Sequence, residues 1–96
     1  MRILALEVEQ PGATAGDFEP LLEKEARTAW DLVQKEFIRE IYFRADKSCA
    51  VLMLERDDVG QAQSKLSELP LVAAGLIVFE LIPLKPYPGF ARLFAD

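Results

Sequence analysis

Two segments, Cys49–Arg56 (CAVLMLER) and Gly75–Leu84 (GLIVFELIPL), are apolar on both sides of a period-two pattern. In the first, Cys49, Val51 and Met53 fall on one side and Ala50, Leu52 and Leu54 on the other. In the second, Ile77, Phe79 and Leu81 oppose Leu76, Val78, Ile82 and Leu84. An antiparallel strand with one wet face alternates apolar and polar residues. These two do not, so a sheet built from them must be covered on both faces. A chain of 96 residues forms one domain, here residues 1–96, with a thin core. Its own helices can cover one face, and something else must cover the other.

The remaining segments supply the helices. Arg2 to Gln10 alternates, with Leu4, Leu6 and Val8 on one side and Ile3, Ala5 and Glu7 on the other, and reads as a strand. Pro11–Gly16 is a loop, and Asp17 is a candidate N-cap. Residues 18 to about 36 predict a helix with Phe18, Leu22, Ala26, Ala29 and Val33 on one stripe and Trp30 on its shoulder. Its far face carries the i,i+4 pairs Glu23–Arg27 and Asp31–Lys35. Glu25 leans toward the core, about 60° from the stripe centre. Phe37–Arg44 has strand composition, and Ala45–Ser48 has the chemistry of a hairpin turn. A second helix, capped by Asp57 or Asp58, buries Val59, Ala62, Leu66 and Leu69 and stops at Pro70.

The order β-α-β-β-α-β is that of an α+β, ferredoxin-like fold. It predicts a four-stranded, mostly antiparallel sheet with two helices on one face. The economical cover for the second face is a second copy, giving a dimeric α+β barrel with closed symmetry.

Composition narrows the function classes. Sixteen acidic against eleven basic residues give a net charge of −5, with no basic cluster to hold nucleic acid or an anionic membrane surface. No apolar run approaches the ~20 residues of a membrane helix. Ile3–Leu6 is too short for a signal-peptide core, so a cytoplasmic setting is expected. The one cysteine, Cys49, excludes an intrachain disulfide and reads as a core thiol. The chain has no histidine, so proton chemistry would fall to carboxylates, Lys, Tyr or the thiol. No glycine-rich phosphate loop and no metal-ligand spacing is present, so no cofactor and no metal are expected.

Charged groups inside strands are the candidate site. Strand parity places Glu40, Tyr42 and Arg44 on one face of the second strand with Ile38, and Phe37, Arg39, Ile41 and Phe43 on the other. Such charges either pair structurally, as Arg39 or Arg44 with Glu80, or converge on a small molecule. In the second case Glu40 or Glu25 is the candidate catalytic base, Arg39 or Arg44 holds an anion bidentately, and Tyr42 donates to a developing oxyanion. Trp30, read as core packing rather than a cofactor box, stands beside these substrate contacts.

The motif "ELPLV" around Leu69, Pro70 and Leu71, the Arg- and aromatic-rich "IREIYFR" from Ile38 to Arg44 and the apolar "PL" ending before a proline-containing tail resemble the muconolactone Δ-isomerase family. The resemblance implies a cofactor-free subunit assembling into dimers or larger rings. It also implies isomerisation of a small unsaturated lactone or organic acid of aromatic catabolism. Arg39 stands where that family keeps an arginine, Glu40 where it has a histidine, and Tyr42 near an expected tryptophan. Val72–Gly75 replaces a proline and an aromatic. A carboxylate in place of imidazole reverses the local charge and opposes a carboxylate-bearing substrate. The other reading of the same residues is a non-catalytic binding or assembly domain.

The chain closes on Pro83–Phe94 (PLKPYPGFARLF). Its prolines forbid a central strand and stiffen an extended arm. The arm, residues 85–96, offers Tyr87, Phe90, Leu93 and Phe94 as intersubunit anchors.

Overall fold

The computed structural model describes residues 1–94. The last two positions of the expected arm, Ala95 and Asp96, lie outside the described residues. Four strands, β1 (Arg2–Glu9), β2 (Ile38–Phe43), β3 (Ala50–Glu55) and β4 (Ile77–Leu84), form one sheet in the order β2-β3-β1-β4. Every neighbouring pair is antiparallel. The helices are α1 (Ala15–Phe18), α2 (Leu22–Gln34), α3 (Val59–Leu66) and α4 (Pro70–Ala73). This is the ferredoxin-like arrangement that the element order implies. Among the described residues no helix is long and apolar enough to cross a membrane.

The core lies on one face. Ile3 and Ala5 of β1, Leu52 and Leu54 of β3, and Ile77 and Phe79 of β4 are buried with Leu32, Ala62, Leu66, Leu69 and Leu71 from the helical side. Cross-strand registers align these residues, Ile3 with Leu54 and Ala5 with both Leu52 and Leu81. Apolar side chains so aligned across neighbouring strands stabilise the sheet pairwise.

The long first helix is broken where a single helix over residues 18–36 was expected. Thr14, not Asp17, is the N-cap. Asp17 lies in the first turn, and its carboxylate accepts hydrogen bonds from the Thr14 N–H (2.9 Å) and hydroxyl (3.0 Å). Pro20 has no N–H to give, and the chain passes through a 3-10 turn, Glu19–Leu21, before α2 begins. The Glu23–Arg27 pair forms at 3.0 Å, whereas Asp31–Lys35 is not an ion pair. Asp58 caps α3 by accepting from Gln61 N–H at 2.7 Å. Pro70 does not simply end that helix. It opens α4, at a first-turn position where a missing N–H costs nothing.

The registry of β2 departs from simple parity. Ile38 pairs with Leu54 but Glu40 pairs with Met53, so a bulge inserts Arg39 as an extra residue. The bulge moves Ile38 to the helical face with Ile41 and Phe43, and leaves Glu40 and Tyr42 opposite. Straight alternation had put Ile38 with Glu40.

Among the described residues no helix lies on the second sheet face. It presents Leu4, Leu6 and Val8, Val51 and Met53, Val78, Ile82 and Leu84, with Glu40, Tyr42, Glu55 and Glu80 among them. The arm also leaves the domain: Tyr87, Phe90, Leu93 and Phe94 are 65–84% exposed. The radius of gyration, 15.8 Å, exceeds the about 12.5 Å of a compact chain of this length.

Candidate functional site

A cavity of about 220 Å³ lies between α2, the helical face of the sheet and the α3–α4 connection. Its walls are almost wholly apolar: Leu22, Ala26 and Ala29 from α2, Ile38, Ile41, Phe43, Ala50, Leu52 and Phe79 from the sheet, and Leu69 and Leu71 below. Two carboxylates complete the lining, Glu7 and Glu25. A shallower acidic cleft shares Glu7, Leu22, Phe43 and Leu71 with the cavity and adds Glu9 and Glu19. Leu22, Ile41 and Phe43 are exposed and form an apolar rim.

Each carboxylate is fixed by a backbone N–H. Glu25 leans inward from α2, and its Oε1 accepts from Leu71 N–H at 2.9 Å. Leu71 sits in the first turn of α4, where helical N–H groups have no partner in their own helix. Glu25 thus caps from another element a helix whose own N-cap, Leu69, has no polar side chain. Glu7 shares the inward parity of Ile3 and Ala5, and its Oε1 accepts from Ala50 N–H at 3.1 Å. In both groups Oε2 is left without a backbone donor among the described residues.

Burial dominates the electrostatics. It raises both carboxyl pKa values above the ordinary 4.5, against the lowering effect of the backbone hydrogen bonds. The charge of Glu9 raises Glu7 further, while the Cys49 thiol pulls it down. The charge of Glu7 adds to the rise at Glu25. An ionised carboxylate beside a protonated one, facing an apolar space, can accept a proton at one point and donate a hydrogen bond at another.

The sequence-derived residues divide sharply. Glu25 lines the cavity. Glu40 and Tyr42 lie on the opposite sheet face and pair with each other, the phenol donating to Glu40 Oε1 at 2.9 Å. Arg44 is at the surface in a bidentate pair with Asp46, at 2.8 and 2.6 Å. The bulge residue Arg39 donates its Nε–H to the Glu36 carbonyl at 2.9 Å. Neither arginine reaches Glu80, and neither lines the cavity. Trp30 is 62% exposed and is neither core packing nor part of the lining. The geometry therefore does not bring Glu40, Arg39, Tyr42, Arg44 and Trp30 together with Glu25. Glu7 stands outside the sequence-derived candidates, although its parity with Ile3 and Ala5 points it to the helical side.

Neither a family model nor a curated protein sequence matches the chain. Among solved structures, it is similar to 5-chloro-2-hydroxyhydroquinone dehydrochlorinase (TftG) from Burkholderia phenoliruptrix AC1100, determined in complex with 2,5-dihydroxybenzoquinone. The TM-score is 0.63 at 17% identity, covering 93% of this chain and 98% of that one. At that identity the likeness is one of fold, and the fold it supports is the α+β ferredoxin-like one built up above.

Proposed function

We propose that the protein is a cofactor-free enzyme that moves a proton next to a carbonyl in a small unsaturated ring, such as a lactone of aromatic-compound breakdown. One observation carries this reading: two half-buried carboxyls with raised pKa values face a single apolar cavity. Ionised Glu7 takes the proton from the carbon beside the carbonyl. The C–H electron pair moves into a new C=C bond and the carbonyl oxygen becomes an enolate, which protonated Glu25 stabilises by donating a hydrogen bond. Glu7 then returns the proton to a different carbon and the double bond has moved. The enzymatic use of a related fold on hydroxylated aromatic compounds, in TftG, is consistent with this chemistry.

The assembly we propose is a homodimer packed sheet to sheet. Leu4, Leu6, Val51, Met53 and Ile82 form the contact, and Tyr87, Phe90, Leu93 and Phe94 of each arm anchor on the partner. Apolar side chains on an otherwise uncovered sheet face favour a second copy of the same face.

Proton exchange tests the chemistry without knowledge of the product. Unsaturated lactones and cyclic enones incubated with the protein in deuterated buffer should exchange the hydrogen beside the carbonyl, as read by NMR. Glu7→Gln should abolish exchange, while Glu25→Gln, which keeps a donor, should reduce it less. Exchange by Glu7→Gln at the wild-type rate removes Glu7 as the base.

A further inference from the structure

The charges around the cavity restrict what can enter it. Its lining contains two carboxyls and no cation, and the adjoining cleft adds Glu9 and Glu19, again without a cation. The arginines that the sequence offers for an anion, Arg39 and Arg44, are committed elsewhere at the surface, to the Glu36 carbonyl and to Asp46. A ligand carboxylate would therefore approach along four acidic side chains, Glu7, Glu9, Glu19 and Glu25, and come to rest in an apolar space with no cation among its described lining residues to receive it.

The space and the acceptors also describe what does fit. A cavity of about 150 Å³ with aliphatic walls takes one benzene ring, so about 220 Å³ takes one ring with small substituents. The apolar walls suit a flat, unsaturated body. Glu7 and Glu25 each keep one oxygen on a backbone N–H and leave the other without a backbone donor among the described residues, so a ligand hydroxyl can donate to ionised Glu7 or accept from protonated Glu25. A hydroxyl has a single proton to place and meets that demand. An ammonium has three donors, and the walls offer nothing to the third.

We propose that the cavity selects neutral, hydroxyl-bearing single-ring compounds and excludes their carboxylate counterparts, so that the substrate is not an organic acid. The proposal rests on reading the cavity as the ligand site, and it deepens the proposed function by fixing the charge of the substrate class. It departs from the carboxylate-bearing lactone that the family resemblance implied.

Three probes of one shape test it by calorimetry on the full chain at neutral pH: para-hydroxybenzyl alcohol, para-hydroxybenzoate and para-hydroxybenzylamine. The alcohol should bind about tenfold or more tightly than either ion. In Glu7→Gln/Glu25→Gln the disadvantage of the benzoate should shrink to about threefold or less, because the repelling charges are gone. Benzoate binding to the native protein as tightly as the alcohol overturns the proposal. So does preference for the amine, binding of none of the three, or discrimination that persists unchanged in a folded double variant. Selective binding without any deuterium exchange would retain this proposal and remove the catalytic one. Exchange by a protein that prefers the benzoate would do the reverse.

Discussion

The two faces of the sheet are built from the same strands and do opposite things with their charges. On the helical face, Glu7 and Glu25 are half-buried, tied to backbone N–H groups and pushed toward their neutral forms. On the open face, Glu55 bonds the N-terminal ammonium and Glu40 accepts from Tyr42, both near solvent. The apolar residues differ as well: Leu52 and Leu54 are 2% and 0% exposed, while their neighbours Val51 and Met53 are only partly covered. The helical face is a finished core with one hole in it. The open face is apolar and uncovered, and on the proposed reading the first face carries the chemistry and the second the assembly.

Adjacent residues of β3 give the largest test of that contrast. Leu54→Ala removes a fully buried side chain and should cost about 3 kcal/mol, within the usual range for such deletions. Met53→Ala, one residue away, should cost about 1 kcal/mol or less within a single protomer. Urea unfolding at low protein concentration measures both. Equal losses would mean that the two faces are equally packed.

A charge on the open face should separate assembly from folding. Met53→Asp should weaken the proposed dimer about a hundredfold or more, since the carboxylate would be buried without a partner. The protomer should keep its far-ultraviolet circular dichroism. Removing residues 86–96 should weaken it in the same direction, read by sedimentation. A sedimentation profile unchanged in both variants sinks the sheet-to-sheet dimer.

The fold was legible because its signals are periodic. Apolar alternation marked the strands, and Leu52 with Leu54, and Ile77 with Phe79, share a face as parity grouped them. The site was less legible because it depends on departures from period. The bulge at Arg39 moved Ile38 across the sheet, and no spacing of residue types announces a bulge. Arg44 and Asp46 are two residues apart and meet across a tight turn, which ties Arg44 to Asp46 at the surface, away from the cavity lining. Glu25 could be placed from helical geometry alone, since it points inward wherever the helix docks. Glu7 carried the same information in its parity, but a carboxylate on a strand draws notice only when its neighbours are known to be buried. The capping of α4 by Glu25 crosses 46 residues of chain and has no local signature.

Acid should act with opposite sign on the two faces. A carboxyl whose pKa rises on folding binds its proton more tightly in the folded chain. Its contribution to stability is fully present below the unfolded value of about 4.5 and is lost as pH rises through the folded value. Glu7 and Glu25 therefore make the protein lose stability from about pH 4.5 upward, relative to Glu7→Gln/Glu25→Gln. Glu55 is held below 4.5, chiefly by its hydrogen bond with the N-terminal ammonium. Its contribution is present above 4.5 and is lost as pH falls through the lowered value, so Glu55→Gln should narrow the loss of stability in acid. Thermal melts across this range check both differences. A shared sign would mean that the helical-face carboxyls are as well solvated as those outside.

The smallest expected effect concerns the pair that leaves Glu40 outside the cavity. The hydrogen bond to Glu40 raises the Tyr42 pKa above 10.0, because ionising the phenol would lose that bond and set two negative charges together. Glu40→Gln should lower the midpoint at which one of the two tyrosines ionises, followed by tyrosinate absorbance, and Tyr42→Phe should remove that transition. Proton exchange at the cavity should be unaffected by either change, since the sheet stands between the pair and the two inward carboxyls. A midpoint that does not move would mean that Glu40 and Tyr42 do not hold each other in solution. Glu40 would then be free to meet a ligand or a partner, and the division of labour between the faces would lose one of its supports.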